Sequence, residues 1–89
     1  MITQTITIVN KLGLHARAAS KLVNSASQYE SEVYIDKQGY RVNAKSIMGV
    51  MMLAAGKGTE VVIEANGRDE AACMEALTLL INNRFHEPE

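Results

Sequence analysis

The chain contains no tryptophan, one cysteine and one proline, and its aromatic residues are one phenylalanine and three tyrosines. A single cysteine, Cys73, cannot form an intramolecular disulfide, so we expect it to be a small core residue on the last helix. The two histidines, His15 and His86, are far apart in the sequence, and this separation disfavours a metal site. We therefore predict that the protein holds no metal, and we expect no cofactor.

Neither sign of charge dominates, because nine basic residues are balanced by ten acidic ones and the net charge is −1. The absence of a basic stripe disfavours nucleic-acid binding. The longest apolar stretch, residues 47–55, is less than half as long as a membrane span. The first residues also lack the basic start and long apolar core of a secretory signal. We predict a cytoplasmic protein that does not insert into membranes.

The length of 89 residues, with 47% hydrophobic and 21% charged residues, predicts one folded domain over residues 1–89. Alternation of apolar and polar residues predicts four strands, at about residues 1–9, 32–37, 40–44 and 59–65. Apolar residues at helical spacing predict helices at about 16–28, from 45 to near 56 or 58, and after a capping Asp69.

This βαββαβα order, in which the strands have one polar face, predicts the fold class. We expect an α/β (α+β) protein built as an open-faced two-layer sandwich. In this arrangement a four-stranded antiparallel sheet carries three helices on one face.

The segment "NKLGLHARAASKL" (residues 10–22) places a histidine where the first helix begins. No Ser, Thr, Asp or Asn stands between Leu12 and Ala19 to cap this helix, and the cap position falls near His15. The backbone amides of Ala16 and Arg17 are therefore predicted to be unpaired donors at the positive end of the helix dipole. Such donors make an anion site.

Arg17 adds a fixed positive charge with a planar group suited to phosphate oxygens. A histidine beside such a site can accept a phosphoryl group, whose added charge of about −2 the donors would stabilise. The alternative is that His15 merely ends a turn and Arg17 is a solvated surface charge. The spacing alone does not separate the two interpretations.

Two motifs, "GLHARAA" (13–19) and "NAKSIMGVMMLAAGKGTEV" (43–61), together with the βαββαβα order, resemble the HPr family. These are the histidine phosphocarriers of the bacterial phosphoenolpyruvate-dependent phosphotransferase system, and the resemblance covers about residues 1–85. It implies that enzyme I passes a phosphoryl group to Nδ1 of His15 and that an enzyme IIA domain then takes it, in sugar uptake or related regulation. It also implies a phosphate-stabilising role for Arg17. The protein would be a carrier rather than an enzyme in its own right.

Ser46 is expected to cap the second helix. It also matches the family's serine that HPr kinase/phosphorylase modifies in those bacteria that have this enzyme. The resemblance therefore implies possession of a regulatory site at Ser46. A phosphate at a helix N-terminus is tolerated by the fold, so the two roles are compatible.

The second helix is too apolar to be an ordinary surface helix. If Val50 and Leu53 face the sheet, the other apolar side chains cannot all be buried, and an exposed apolar patch indicates a docking surface. Flexible methionines suit a surface that serves several partners. The residues that we assign to this docking surface are Ile47, Met48 and Met51, with Ser20 and Asn24 from the first helix.

One residue departs from the family's pattern, because Ala18 stands where the family usually has proline. Proline pre-sets a first helical turn, so alanine leaves a looser start. The tail "NNRFHEPE", in which His86 is expected to be solvated, resembles the nitrogen-related branch, whereas "KSIMG" resembles the sugar-type branch. The alternatives that stay open are a nitrogen-related phosphocarrier and a regulatory binding module that no longer transfers phosphate. We expect a monomer.

Overall fold

The computed structural model describes residues 1–87, and the proline of the tail lies outside this range. Its elements follow the predicted order. The strands are β1 (Ile2–Thr7), β2 (Glu32–Lys37), β3 (Tyr40–Asn43) and β4 (Glu60–Asn66). The helices are α1 (Ala16–Ala26), α2 (Ile47–Met52) and α3 (Glu70–Asn82), followed by a short turn at Arg84–His86.

The four strands form one antiparallel sheet in the order β1-β4-β2-β3. The register pairs apolar residues across the sheet, and Ile35 lies opposite both Ile63 of β4 and Val42 of β3. Burial alternates along β4, where Val61, Ile63 and Ala65 are buried and the residues between them are only partly so. The sheet is thus apolar on one face, and the helices cover that face. The predicted open-faced sandwich is confirmed.

α1 packs one face into the core, and a stripe of its residues at helical spacing is fully or almost fully buried. Its buried residues are Ala18, Ala19, Leu22, Val23 and Ala26. Cys73 on α3 is also buried, as predicted. Burial raises the pKa of its thiol and the nearby charge of Asp69 raises it further, against a weaker effect of Lys45, so the thiol stays protonated.

α2 has only six residues, too few to form a stable helix by itself. Ser46 caps its start, where the hydroxyl oxygen accepts a hydrogen bond from the Gly49 amide at 3.1 Å. At its other end the Lys37 ammonium donates to the Leu53 carbonyl at 3.0 Å. Val50 is fully buried, and Leu53 nearly so, which is the condition under which the sequence predicts an exposed apolar patch on α2. These contacts hold α2 while leaving the rest of its apolar side chains free.

Asp69 does not cap α3 through its side chain, contrary to the sequence-based expectation. Its carboxylate instead accepts hydrogen bonds from the Ser31 hydroxyl at 2.5 Å and from the amides of Glu30 and Ser31. Those residues precede β2, so the carboxylate joins the start of α3 to the start of that strand. At the helix itself, the Glu70 side chain accepts from the Gly67 amide at 3.1 Å.

The hydrogen bonds to the Asp69 carboxylate should make the stability of the fold depend on pH in the acid range. The hydrogen bond from the Ser31 side chain, with those from the backbone, lowers the pKa of Asp69 below its ordinary 3.8 against a smaller opposing effect of burial. A carboxylate with a depressed pKa stabilises the fold fully above its unfolded-state pKa, and this contribution is lost as pH falls through the folded value. Asp69→Asn should therefore melt below the wild type at pH 7, and the two melting temperatures should converge below about pH 4.

The control is Glu75→Gln, which removes an exposed carboxylate from α3. Its melting temperature should follow that of the wild type across the same pH range. A gap between wild type and Asp69→Asn that stays constant from pH 7 to pH 2 would contradict the assignment.

Candidate functional site

His15 is the N-cap of α1, with an extended backbone at φ −74° and ψ 179°. Its Nδ1 accepts a hydrogen bond from the Arg17 amide at 3.3 Å. The expectation of a helix start without a capping side chain is therefore wrong in one respect, because the imidazole itself is the cap. The bond is long and exposed, so the Arg17 amide is only weakly satisfied and could be released to another acceptor.

Gly13 places His15 by bringing two loops into close contact. It has a positive φ of +67°, and a Cβ on it would lie 2.4 Å from the Ala55 carbonyl oxygen. The neighbouring Leu14 amide donates to that same carbonyl at 2.9 Å. The loop that precedes α1 is thus fastened to the segment that follows α2. Sequence reasoning did not predict this contact.

The phosphate-binding groups predicted from the sequence lie together at this helix start. Arg17 and Ala16 are exposed, and Ala18, the residue that replaces proline, is fully buried against the core. Within residues 1–87, no hydrogen bond or ion pair engages the Arg17 guanidinium. The start of the helix therefore brings together a partly exposed imidazole, one weakly bound amide and one exposed positive charge.

A second contact to His15 comes from the C-terminal end of the described chain. Nε2 of the imidazole lies 2.6 Å from Oε2 of Glu87, and the Glu87 side chain is 11% exposed. The other carboxylate oxygen accepts from the amide nitrogen of Asn10 at 3.0 Å. Sequence reasoning missed this contact, since it assigned no role to Glu87. His86, the residue before Glu87, is exposed as predicted.

The docking residues predicted on α2 are exposed. Ile47 is 42% exposed, Met48 74% and Met51 42%. Met52, which the prediction omitted, is 64% exposed, and the four side chains together are called the α2 patch below. From α1, Asn24 is exposed and Ser20 is partly so. α2 packs against α1, so the α2 patch lies beside the helix that carries His15.

The described residues, 1–87, contain no cluster of three His, Cys, Asp or Glu side chains that could hold a metal ion. None of the helices in this range combines the length and apolar character needed to cross a membrane. The chemistry that the site itself offers is the nucleophilicity of a histidine nitrogen next to anion-binding groups.

Comparison with known proteins agrees with this class of site. The chain matches the family model described as "PTS HPr component phosphorylation site" over residues 2–83. It is 58% identical over 89 residues to the phosphocarrier protein HPr of Neisseria meningitidis, covering 100% of both chains. The chain belongs to the HPr family of phosphocarriers of the phosphotransferase system.

Two solved structures show the same fold. The crystal structure of HPr-C-His from Thermoanaerobacter tengcongensis has a TM-score of 0.96 at 44% identity, with 100% of each chain covered. The crystal structure of an HPr dimer from the same organism has a TM-score of 0.79 at 45% identity, covering 98% of this chain and 100% of that one. Because that relative is a dimer, the monomer expected here stays a prediction.

The close approach at Gly13 can be tested by Gly13→Ala. The added methyl would meet the Ala55 carbonyl and the residue would need a left-handed backbone, so we expect a loss of about 2 kcal/mol in unfolding free energy. Gly56→Ala is the matched control, because a Cβ there meets nothing within 4 Å and the glycine has no positive φ. It should stay within about 0.5 kcal/mol of wild type in chemical denaturation.

Hydrogen exchange at the Leu14 amide provides the second measurement. Gly13→Ala should speed exchange at this amide, since its acceptor is the Ala55 carbonyl that the methyl displaces. Equal stability and equal Leu14 protection in the two variants would show that the two loops are not held together at Gly13.

Proposed function

We propose that the chain, as one domain over residues 1–89, carries a phosphoryl group on Nδ1 of His15. The donor is phosphorylated enzyme I and the acceptor an enzyme IIA domain, and the carrier itself catalyses no net reaction. The observation that supports this most directly is the position of His15 as the cap of α1. When Nδ1 attacks phosphorus, its hydrogen bond from the Arg17 amide would break, and that amide could then donate to a phosphoryl oxygen.

Charge supports the same assignment. The phosphoryl group adds about −2 in charge, and it would arrive at the positive end of the α1 dipole next to the exposed Arg17 guanidinium. Charge-assisted hydrogen bonds to phosphate oxygens are worth roughly 1.5–3 kcal/mol each. The product is therefore stabilised by groups already in place, and transfer requires no rearrangement of the fold.

The α2 patch supports a role in binding several proteins. Four exposed apolar side chains on a six-residue helix exceed what a surface helix needs, and three of them are flexible methionines. We propose that enzyme I and the enzyme IIA domains both dock on the α2 patch, with Ser20 and Asn24 of α1 at the edge of the contact. Location in the cytoplasm is part of this proposal.

The phosphorylation site can be tested with enzyme I and labelled phosphoenolpyruvate. Wild-type protein should gain acid-labile phosphate, and His15→Ala should gain none, because its fold is retained but its nucleophile is lost. His86→Asn is the matched control, since it removes the other histidine from an exposed position and asparagine tolerates the positive φ found there. It should be labelled as wild type is.

Acid-labile phosphate on His15→Ala would contradict the assignment of His15 as the phosphorylated residue. A wild-type chain that folds but takes no label would instead favour the non-transferring regulatory module. The choice between the sugar-type and the nitrogen-related branch depends on which enzyme IIA domains then remove the label.

Ser46 is the proposed site of regulation by HPr kinase/phosphorylase. Its hydroxyl caps α2, and Ile47 and Met48 follow it directly, so a charge placed there would lie within the docking surface. Ser46→Asp should keep the melting temperature, because aspartate caps as well as serine and complements the dipole. Its phosphorylation by enzyme I should nevertheless slow.

Ser46→Ala is the matched variant. It should lose about 1 kcal/mol of stability with the cap, while docking should be nearly unchanged. Melting temperature and the rate of enzyme I-dependent labelling are measured for both variants. If both lose transfer only in proportion to lost stability, Ser46 is a cap and the regulatory role is refuted.

A further inference from the structure

The turn after α3 is built to return the chain to His15. Arg84, Phe85 and His86 all have a left-handed backbone, with φ of 57°, 54° and 63°. Such a run is costly for residues other than glycine, so it persists only where surrounding contacts fix it. Two contacts do so here: the Phe85 side chain is fully buried, and the Lys21 ammonium donates to the Phe85 carbonyl at 2.5 Å.

The turn delivers the Glu87 carboxylate to a site that holds both of its oxygens. Oε2 lies 2.6 Å from Nε2 of His15, and Oε1 accepts from Nδ2 of Asn10 at 3.0 Å. Asn10 is itself fully buried, and the same Nδ2 also donates to the Gly13 carbonyl at 2.8 Å. The carboxylate is therefore fixed by a rigid donor that belongs to the loop before α1.

Glu87 is ionised in this setting. Burial by itself would raise the pKa of its carboxyl, but the hydrogen bonds from Asn10 and His15, with the charges of His15 and Lys21, outweigh burial and lower it. An ionised carboxylate can only accept hydrogen bonds. At 2.6 Å the proton of the contact must therefore be on Nε2 of His15. The Arg17 amide donates to Nδ1, so the lone pair of the ring is on Nδ1.

We propose that Glu87 is a positioning residue for phosphoryl transfer, which keeps the proton on Nε2 and stabilises the positive charge that the His15 ring acquires. This inference rests on the proposed function. During transfer the Nδ1 lone pair forms the new N–P bond, and the bond from phosphorus to the donor's nitrogen breaks with its electron pair returning to the donor. The Nε2 proton stays in place, hydrogen-bonded to Glu87.

The geometry distinguishes this role from an inhibitory one. Glu87 contacts Nε2, whereas the nucleophilic Nδ1 is the other ring nitrogen and faces the Arg17 amide. The carboxylate thus does not occupy the position of an incoming phosphoryl group. In other histidine-dependent sites, a carboxylate accepts a hydrogen bond from the second ring nitrogen. That carboxylate fixes the tautomer of the ring and stabilises the imidazolium.

The test uses potassium phosphoramidate, a small donor that phosphorylates histidine without enzyme I, so its outcome does not depend on the proposed partner. Glu87→Gln keeps the shape and a hydrogen-bond acceptor but removes the charge. It should accept the phosphoryl group about 10-fold more slowly, the lower end of the range for a charge-assisted hydrogen bond. Glu75→Gln removes an exposed carboxylate from α3 and should match the wild type.

Nitrogen-15 NMR of His15 provides a readout that a merely structural role would not change. In the unphosphorylated wild type, the Nε2 proton should be observed and protected from solvent exchange, and Nδ1 should be unprotonated. In Glu87→Ala the Nε2 proton should exchange freely, while melting shows the chain still folded. In the phosphorylated protein, the Nε2 proton of Glu87→Gln should exchange with solvent faster than that of the wild type, because its negative partner is gone.

Equal phosphoramidate rates in wild type, Glu87→Gln and Glu75→Gln would overturn the inference. A faster rate in Glu87→Gln would also overturn it and would show an inhibitory contact. If phosphoramidate labels the wild type but enzyme I does not, the proposed donor is refuted and the assignment of Glu87 stays intact.

Discussion

One hydrogen bond, from the Arg17 amide to Nδ1 of His15, is the constraint around which the site is arranged. A helix must find acceptors for its first amides, and the usual choice is a hydroxyl or a carboxylate. Here an imidazole takes that place, at a distance of 3.3 Å. The cap is weak because this hydrogen bond is long and exposed. The same nitrogen is the proposed phosphoryl acceptor, so the helix start gives up some folding stability at the site of the proposed reaction.

The surrounding contacts compensate for this weak cap. Gly13 joins the loop before α1 to the Ala55 carbonyl, and Asn10 links the same loop to Glu87. The imidazole is therefore held at both nitrogens and through its backbone before any partner arrives. A site fixed in this way needs little reorganisation during transfer, which is how preorganised groups lower a barrier. α2 keeps an apolar surface exposed to solvent. Hydrogen bonds of the Ser46 and Lys37 side chains stabilise the two ends of this helix.

Local patterns in the sequence predicted most of the fold and the position of His15 at the start of α1. Alternation of apolar and polar residues located all four strands, and the lack of a conventional cap drew attention to His15. Ser46 was predicted as a cap because serine is a good one, and the hydrogen bond to Gly49 confirms it. These features depend on neighbours in the chain, which sequence periodicity reports directly.

The features that sequence reasoning missed depend on distant residues. Asp69 was expected to cap its own helix, but the amides before β2 compete for its carboxylate. In the tail only the exposure of His86 was predicted; the burial of Phe85 and the contact of Glu87 with a residue 72 positions away were not. A left-handed turn made without glycine has no signature that composition rules recognise. Only the three-dimensional packing of α1 and α3 explains why the chain turns back there.

The central claim is that Nδ1 of His15 exchanges its hydrogen bond with the Arg17 amide for a bond to phosphorus. Phosphorus–nitrogen coupling and amide shifts in the NMR spectrum of the phosphorylated, nitrogen-15-labelled protein measure both parts of this exchange at once. The account predicts that phosphorus couples to Nδ1 and that the Arg17 amide proton moves strongly downfield as it binds a phosphoryl oxygen. Coupling to Nε2, or an Arg17 amide that does not move on phosphorylation, would contradict it.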